Sequence, residues 1–314
     1  MRVLVTDGLE TEALAALRRR HTVDTIEADP EKLLSLIPGY DALIVRSRTK
    51  VTAAVIERGS RLKVIARTGV GVDNIDLDAA TRRRIPVVNA PAASTVAVAE
   101  LALGHMLSLA RHLAAADRSV KEGKWEKKRF EGIELAGKTL GLIGSGRIGA
   151  EVARRARAFG MRVIAYDPYL PPEAARERGI ELTDLATVLR TSDFVSQHAA
   201  LTPETRGMIG SRELGMMRRT AYLVNCARGE IVQEEALAEA LKAGTIAGAA
   251  LDVFAKEPPV GSPLLGAPNL VFTPHLGAST REAQARAGAV VAEQIEHVFD
   301  GKRPEFVANP EVYR

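Results

Sequence analysis

Cysteine is nearly absent from this 314-residue chain: Cys226 stands alone, which excludes an intramolecular disulfide and fits a reducing cytoplasm. Cys226 lies in an apolar stretch, so it reads either as a small buried side chain or as a nucleophile. Aromatics make up only 4% of the chain, with a single tryptophan, Trp125. Long hydrophobic runs are missing too. Nothing approaches the ~18–20 apolar residues of a membrane span, and the run at Val3–Val5 is too short for a secretory signal, so neither a membrane partner nor export is expected. Neither sign of charge dominates: 43 Lys and Arg face 39 Asp and Glu. The basic triplets Arg18-Arg19-Arg20 and Arg82-Arg83-Arg84 close helical patterns, where cations complement the helix dipole, so nucleic acid is not expected as a partner. No spacing of His, Cys, Asp and Glu resembles a metal site. His105 and His112 share a face of one long helix, which suggests packing or an interface rather than ligation.

What is present is an alternation. In the first ninety residues Arg2–Thr6, Thr22–Ile26, Ala42–Val45, Lys63–Ala66 and Pro86–Val88 read as strands, and Glu10–Arg19, Pro30–Leu36, Thr52–Arg58 and Asp76–Arg83 as helices. Alternating β and α predicts a parallel sheet covered on both faces, an α/β fold. A helix that is apolar nearly all round is expected from Ser94 or Thr95 to about Ala116. The alternation restarts at Gly137, and an amphipathic helix over Arg281–Phe299 closes the chain. Two doubly wound units follow: residues 1–90 completed by 281–314, and an inserted unit over 91–280. Hinges at Asn89-Ala90-Pro91 and Leu276-Gly277-Ala278-Ser279 would let a cleft close on a ligand. A charged segment near 115–137 carries Trp125 and Phe130 and reads either as an arm clasping a second subunit or as a surface loop.

The inserted unit opens with Gly144-Ser145-Gly146-Arg147-Ile148-Gly149 between a predicted strand (Thr139–Ile143) and a predicted helix; Arg162–Tyr166 and then Asp167 follow. Glycines at this spacing make a tight turn and let backbone approach a pyrophosphate at the helix N-terminus. Asp167 falls 23 residues after Gly144, close to the roughly 20 expected of an acid on the adenosine ribose. A carboxylate there repels a 2′-phosphate, so the expected cofactor is NAD rather than NADP.

The same unit carries three groups suited to oxidising a 2-hydroxy acid. Arg228, after Val224-Asn225-Cys226-Ala227, offers a planar fork to a carboxylate or keto acid. His275, in Thr273-Pro274-His275-Leu276-Gly277, can exchange the hydroxyl proton, and Glu257 can favour its charged form. Each alone also fits a surface arginine, a loop acid or a capping histidine; their common place on loops after strands favours a reaction centre.

Taken together, these stretches resemble the D-isomer-specific 2-hydroxyacid dehydrogenases. So do Val45-Arg46-Ser47-Arg48, Gly69-Val70-Gly71-Val72-Asp73, Glu122-Gly123-Lys124-Trp125, Ala249 to Pro259 and Gly277-Ala278-Ser279-Thr280, and they run in family order over nearly the whole chain. The resemblance implies a Rossmann NAD-binding domain inserted into a flavodoxin-like substrate domain, in a cytoplasmic homodimer joined through the Trp125 arm. It implies His275 as acid/base, Glu257 as its partner, and Arg228 as the carbonyl and carboxylate anchor. It sets Gly144, Gly146, Arg147, Ile148 and Gly149 under the pyrophosphate and Asp167 on the ribose. Cys226, Ala227, Asp252 and Gly277 would line the nicotinamide side with Arg228 and His275. Gly69 and Val70 would meet the substrate carboxylate through backbone N–H groups, and Arg46 its far anionic end. The branch matched best oxidises 3-phospho-D-glycerate to 3-phosphohydroxypyruvate on the way to serine. A glyoxylate or hydroxypyruvate reductase is the alternative within the family, and an NAD(H)-sensing co-repressor the alternative outside enzymes. Thr68, Ala93, Ser94 and Ala199-Ala200 depart from common family residues beside substrate and cofactor. The chain ends at Arg314, so feedback through an appended serine-binding domain is not expected.

Overall fold

A computed structural model describes all 314 residues. They form two compact units, Met1–Ser94 with Ala278–Arg314, and Thr95–Gly277.

The first unit runs β1 (Arg2–Thr6), α1 (Thr11–Arg18), β2 (Thr22–Ile26), α2 (Pro30–Leu36), β3 (Ala42–Val45), α3 (Ala53–Arg58), β4 (Val64–Arg67), α4 (Leu77–Arg82) and β5 (Val87–Asn89). Every strand and helix expected here is present, with ends agreeing to a residue. The sheet is wholly parallel, in the order β2-β1-β3-β4-β5. Period-two alternation divides each strand between the sheet's faces. Val3, Val5, Ala42, Ile44, Val64 and Ala66 pack on one side, and Leu4, Leu43, Val45 and Ile65 on the other. The first face is covered by Leu17 of α1 and by Ala287, Val291 and Ile295 of the C-terminal helix Arg281–Phe299. Gly288 lets these two helices approach closely: a Cβ there would lie 3.0 Å from that of Ala13. The tail returns to the sheet edge, where Asn309 Oδ1 accepts from the Val87 N–H at 2.7 Å.

The second unit begins with α5 (Thr95–Ala110) and α6 (Leu113–Lys121). Then follow β6 (Thr139–Ile143), α7 (Arg147–Ala158), β7 (Arg162–Tyr166), α8 (Pro172–Glu177), β8 (Glu181–Leu182), α9 (Leu185–Thr191) and β9 (Phe194–Gln197). The unit closes with α10 (Ser211–Met216), β10 (Tyr222–Asn225), α11 (Glu234–Lys242), β11 (Gly248–Leu251) and β12 (Leu270–Phe272). With these named, the C-terminal helix is α12. The seven parallel strands lie in the order β12-β11-β10-β9-β6-β7-β8. The chain direction of the winding reverses between β6 and β9, and such a switch point is where α/β sheets bind ligands. Buried α5 and α7 cover one face, and α9, α10 and α11 the other.

One expected element is different. The long apolar helix stops at Ala110, and His112 takes a left-handed conformation (φ 54°) before α6 begins. The Ala110 carbonyl accepts from the Ile133 N–H at 2.9 Å, a partner supplied by a segment twenty-odd residues away. His105 and His112 therefore do not share one helix face; His105 is buried and His112 sits at the break.

Gly149 brings α7 against the turn that precedes it. A Cβ there would fall 2.5 Å from the Gly144 carbonyl oxygen, a contact no side chain makes. Gly149→Ala should therefore cost roughly 1–3 kcal/mol, as overpacking does, and lower the urea midpoint with an unchanged slope. A wild-type midpoint would mean that this backbone yields freely.

Candidate active site

The turn after β6 has the features of an anion cradle. Gly144 is left-handed (φ 84°), and a Cβ on it would sit 2.7 Å from the Ala199 nitrogen, so only glycine fits. At Gly146 the space is open. Asp29, Asp184 and Thr280 cap α2, α9 and α12 with their side chains, whereas α7 starts at Gly146 with no side-chain cap. The N–H groups of its first turn, which include Arg147, Ile148 and Gly149, suit a phosphate by both hydrogen bonding and helix dipole. The Ser145 hydroxyl is buried beside them without a partner. Asp167 follows β7, and its carboxylate accepts from Ser145 N–H at 2.7 Å and Tyr169 N–H at 3.0 Å. Each oxygen keeps a second lone pair for ribose hydroxyls. Arg178, which had no sequence signal, steadies the turn by donating to the Ser145 carbonyl at 2.8 Å. These residues fit a dinucleotide.

The loops after β10, β11 and β12 bring the second group together. Asn225, the last residue of β10, folds back on its own loop: its Oδ1 accepts from Ala227 N–H at 3.0 Å, and its amide donates to the Arg228 carbonyl at 2.9 Å. The next residue, Gly229, lies so close to the loop after β11 that a Cβ would be 1.9 Å from the Phe254 carbonyl carbon. That approach sets Arg228 near Glu257. Glu257 Oε1 accepts from the Phe254 N–H at 3.2 Å, and Oε2 pairs with His275 Nδ1 at 2.8 Å. Partial burial pushes the Glu257 carboxyl up, but the His275 hydrogen bond and charge, the Phe254 N–H and the Arg228 charge outweigh it. The group ends below the usual carboxylate range and stays ionised at neutral pH. A carboxylate on Nδ1 fixes that nitrogen as N–H, so Nε2 is the atom left to take or hold a proton.

His275 itself adopts a left-handed backbone (φ 54°), a conformation that costs a non-glycine residue about 1–2 kcal/mol. Asp252, 1% exposed, holds it there. The Asp252 carbonyl accepts from the His275 N–H at 2.9 Å. Its carboxylate accepts from the Leu276 N–H at 2.7 Å, the Gly277 N–H at 2.8 Å and the Thr273 hydroxyl at 2.6 Å. Asp252, expected beside the cofactor, thus also holds the loop that carries His275. Cys226 is buried, and burial, reinforced by the Asp252 charge, pushes its thiol far up, so of its two readings the nucleophile falls away.

Three predicted residues belong to the first unit. Arg46 follows β3 in a loop held at both ends. Buried Asp7 accepts from the N–H groups of Arg46 (3.2 Å) and Thr49 (3.0 Å), and the Asn74 amide donates to both their carbonyls at 2.7 Å. Gly69 N–H donates to the Arg67 carbonyl at 2.8 Å, so within the glycine loop Val70 and Gly71 are the residues whose N–H groups meet no backbone acceptor. The Asn89 amide holds the Val70 carbonyl at 2.6 Å. The Thr68 hydroxyl is buried and donates to the Val45 carbonyl at 3.2 Å.

A family model described as D-isomer specific 2-hydroxyacid dehydrogenase, NAD binding domain, matches residues 103–277. The chain belongs to this family. It is 52% identical, over 98% of its length, to a D-3-phosphoglycerate dehydrogenase of Methanocaldococcus jannaschii, of which it covers 59%. It is 49% identical to a hydroxypyruvate reductase of Thermotoga maritima, covering 97% of that protein and 94% of its own length. The crystal structure of a glyoxylate reductase from Paecilomyes thermophila superposes with a TM-score of 0.87 at 32% identity, over 98% of each chain. The chain thus spans a little over half the length of the first curated phosphoglycerate dehydrogenases it matches.

The dehydrogenase turn in this chain also rests on His198, a residue that carried no functional signal. Its carbonyl carbon would lie 2.8 Å from a Cβ at Gly144, and its Nε2 pairs with Ser196 Oγ at 2.8 Å. Burial pushes its pKa down from the ordinary 6.5 to about 4. The unfolded chain then takes up a proton as pH falls through 6.5, and the folded chain does so only near 4. Stability from this group is full above that window and declines as pH falls across it, by up to roughly 3 kcal/mol. Urea midpoints measured from pH 7.5 to pH 4.5 should fall less steeply for His198→Gln than for the wild type; parallel curves would remove His198 as a cause.

Proposed function

We propose that this protein is an NAD-dependent D-3-phosphoglycerate dehydrogenase, oxidising 3-phospho-D-glycerate to 3-phosphohydroxypyruvate. The observation that carries the reaction type is the His275–Glu257 pair at 2.8 Å, on adjoining strand-end loops with Arg228, in the unit that holds the dinucleotide turn. Bound NAD supplies the hydride acceptor. His275 Nε2 takes the hydroxyl proton as the carbonyl forms, and Glu257 orients the ring and stabilises the cation that results. The Arg228 guanidinium anchors carboxylate and carbonyl through paired hydrogen bonds. Gly144, Gly146, Arg147, Ile148 and Gly149 receive the pyrophosphate, and Asp167 the ribose. Cys226, Ala227, Asp252 and Gly277 line the nicotinamide side. The Gly69-Val70-Gly71 loop receives the substrate carboxylate through the N–H groups of Val70 and Gly71, and Arg46 its phosphate.

The phosphorylated substrate is supported by the curated phosphoglycerate dehydrogenases at 46–52% identity. A hydroxypyruvate reductase is the second reading, favoured by the Thermotoga relative whose length this chain matches. We assign the first unit to the substrate and the second to NAD, and a homodimer joined through α6 and the segment after it. There Leu113, Val120 and Trp125 are exposed, Trp125 at 85%. No helix is long and apolar enough to cross a membrane. We assign the protein to the cytoplasm, on its lone, buried cysteine.

A panel of 3-phosphoglycerate, glycerate and D-lactate with NAD or NADP, and of hydroxypyruvate and glyoxylate with NADH, tests the substrate. Turnover of 3-phosphoglycerate with NAD, well above the unphosphorylated acids, is expected. Turnover of hydroxypyruvate or glyoxylate alone would make the chain a reductase, and NADH binding without turnover would make it a sensor. His275→Ala should lower kcat on the order of 10²–10⁴-fold with NAD affinity nearly intact; near-normal turnover would remove His275 from the chemistry. In sedimentation, Trp125→Ser should shift a dimer toward monomer, and an unshifted dimer would place the interface elsewhere.

A further inference from the structure

Behind the His275 loop lies a file of four polar groups, Cys226, His105 and Asp252 buried and Thr273 half-buried, that hydride transfer does not itself require. Cys226 Sγ is 3.7 Å from His105 Nδ1, His105 Nε2 is 3.1 Å from Thr273 Oγ1, and Thr273 Oγ1 is 2.6 Å from Asp252 Oδ1. The direction of every hydrogen in it can be deduced. An ionised Asp252 only accepts, so the Thr273 hydroxyl donates to it. Thr273 Oγ1 must then accept from His105, which puts the imidazole proton on Nε2. Nδ1 is left bare, and the Cys226 thiol donates to it. Burial lowers the His105 pKa against the opposing charge of Asp252, which keeps the ring neutral and this single orientation in force.

The file ends on the group that fixes the acid/base. The Asp252 carboxylate and carbonyl hold the N–H groups of His275, Leu276 and Gly277, and His275 is the residue kept at φ 54°. Thr273 starts the same turn, since its carbonyl accepts from the His275 N–H at 3.0 Å. His105 comes from the middle of α5, which packs on α7, β10 and β11 through apolar side chains. A neutral imidazole in that core is an expensive choice for filling volume; as a donor it completes the Thr273 hydroxyl.

We propose that His105 is a positioning residue for the reaction: through Thr273 it orients Asp252, and Asp252 holds His275 in the left-handed turn that presents Nε2. The rate readout rests on the dehydrogenase activity proposed above; the spectroscopic readout does not.

The test compares His105→Leu, Thr273→Val, the double variant and His105→Gln, whose amide nitrogen can replace Nε2–H as donor to Thr273. At temperatures well below unfolding, the His275 Nδ1 proton in the bond to Glu257 is read by NMR. That resonance should be sharp in the wild type and in His105→Gln, and broadened by exchange with water in the two single variants. With whichever substrate the wild type turns over, kcat should fall about tenfold in each single variant, as for a slightly misplaced catalytic group. KM and the Kd for NADH should stay within about twofold, and the double variant should be no slower than either single one. Wild-type kcat and a sharp resonance in Thr273→Val would overturn the proposal, even if His105→Leu does not fold. So would losses that multiply in the double variant, or a His105→Gln enzyme as slow as His105→Leu. A wild type that turns over nothing would defeat the assigned activity, while the His275 resonance would still decide the role of His105.

Discussion

Parallel pairing is the constraint on which the rest of this molecule depends. In a parallel sheet every strand delivers its carboxyl end to one edge, and the crossover helices lie on the faces. In the second unit, β6, β7, β10, β11 and β12 all end along that edge. The residues that leave them are Gly144, Asp167, Arg228, the Asp252–Glu257 loop and His275. Segments far apart in the chain thus converge because hydrogen-bonded register brings their last residues level. Asn225 pairs with Gln197 on one side and Leu251 on the other, and Leu251 with Phe272.

Register alone does not orient side chains. Close backbone approaches and buried polar groups do that. Gly229 can lie against the Phe254 carbonyl because it has no Cβ, and this draws the arginine loop to the glutamate loop. Asp252 satisfies two amide hydrogens and a hydroxyl in a site closed to water. An unmatched carboxylate there would cost several kcal/mol, so the donors that match it are held strongly in place. In the first unit Asp7 and Asn74 fix the loop of Arg46 in the same manner. Buried acid or amide, strand-end loop and presented side chain recur as one device.

Much of this was legible in the residues. Every element of the first ninety positions, the extent of α12 and the glycine turn with its acid followed from hydrophobic period, turn residues and spacing. The break at His112 did not. Neither Arg111 nor His112 is a helix breaker, and the Ala110 carbonyl at the end of α5 takes its partner from the Ile133 N–H, distant in sequence. Asp252 was visible as an acid after an apolar strand, but nothing local shows that it also holds the N–H groups of Leu276 and Gly277. The same holds for His198 and Arg178, whose neighbours come from other strands and helices.

The sequence by itself determined the family and the order of strands and helices, because period, glycine spacing and turn chemistry act within a few residues, and it singled out Arg228, Glu257 and His275 as candidates. Only the tertiary structure decided which nitrogen of His275 faces Glu257, that Asp252 holds the His275 turn, and that His105 points into the file behind it. Those are relations between groups tens to hundreds of positions apart. Hydrogen-bond direction, burial and charge act there through space, and chain order carries no record of them.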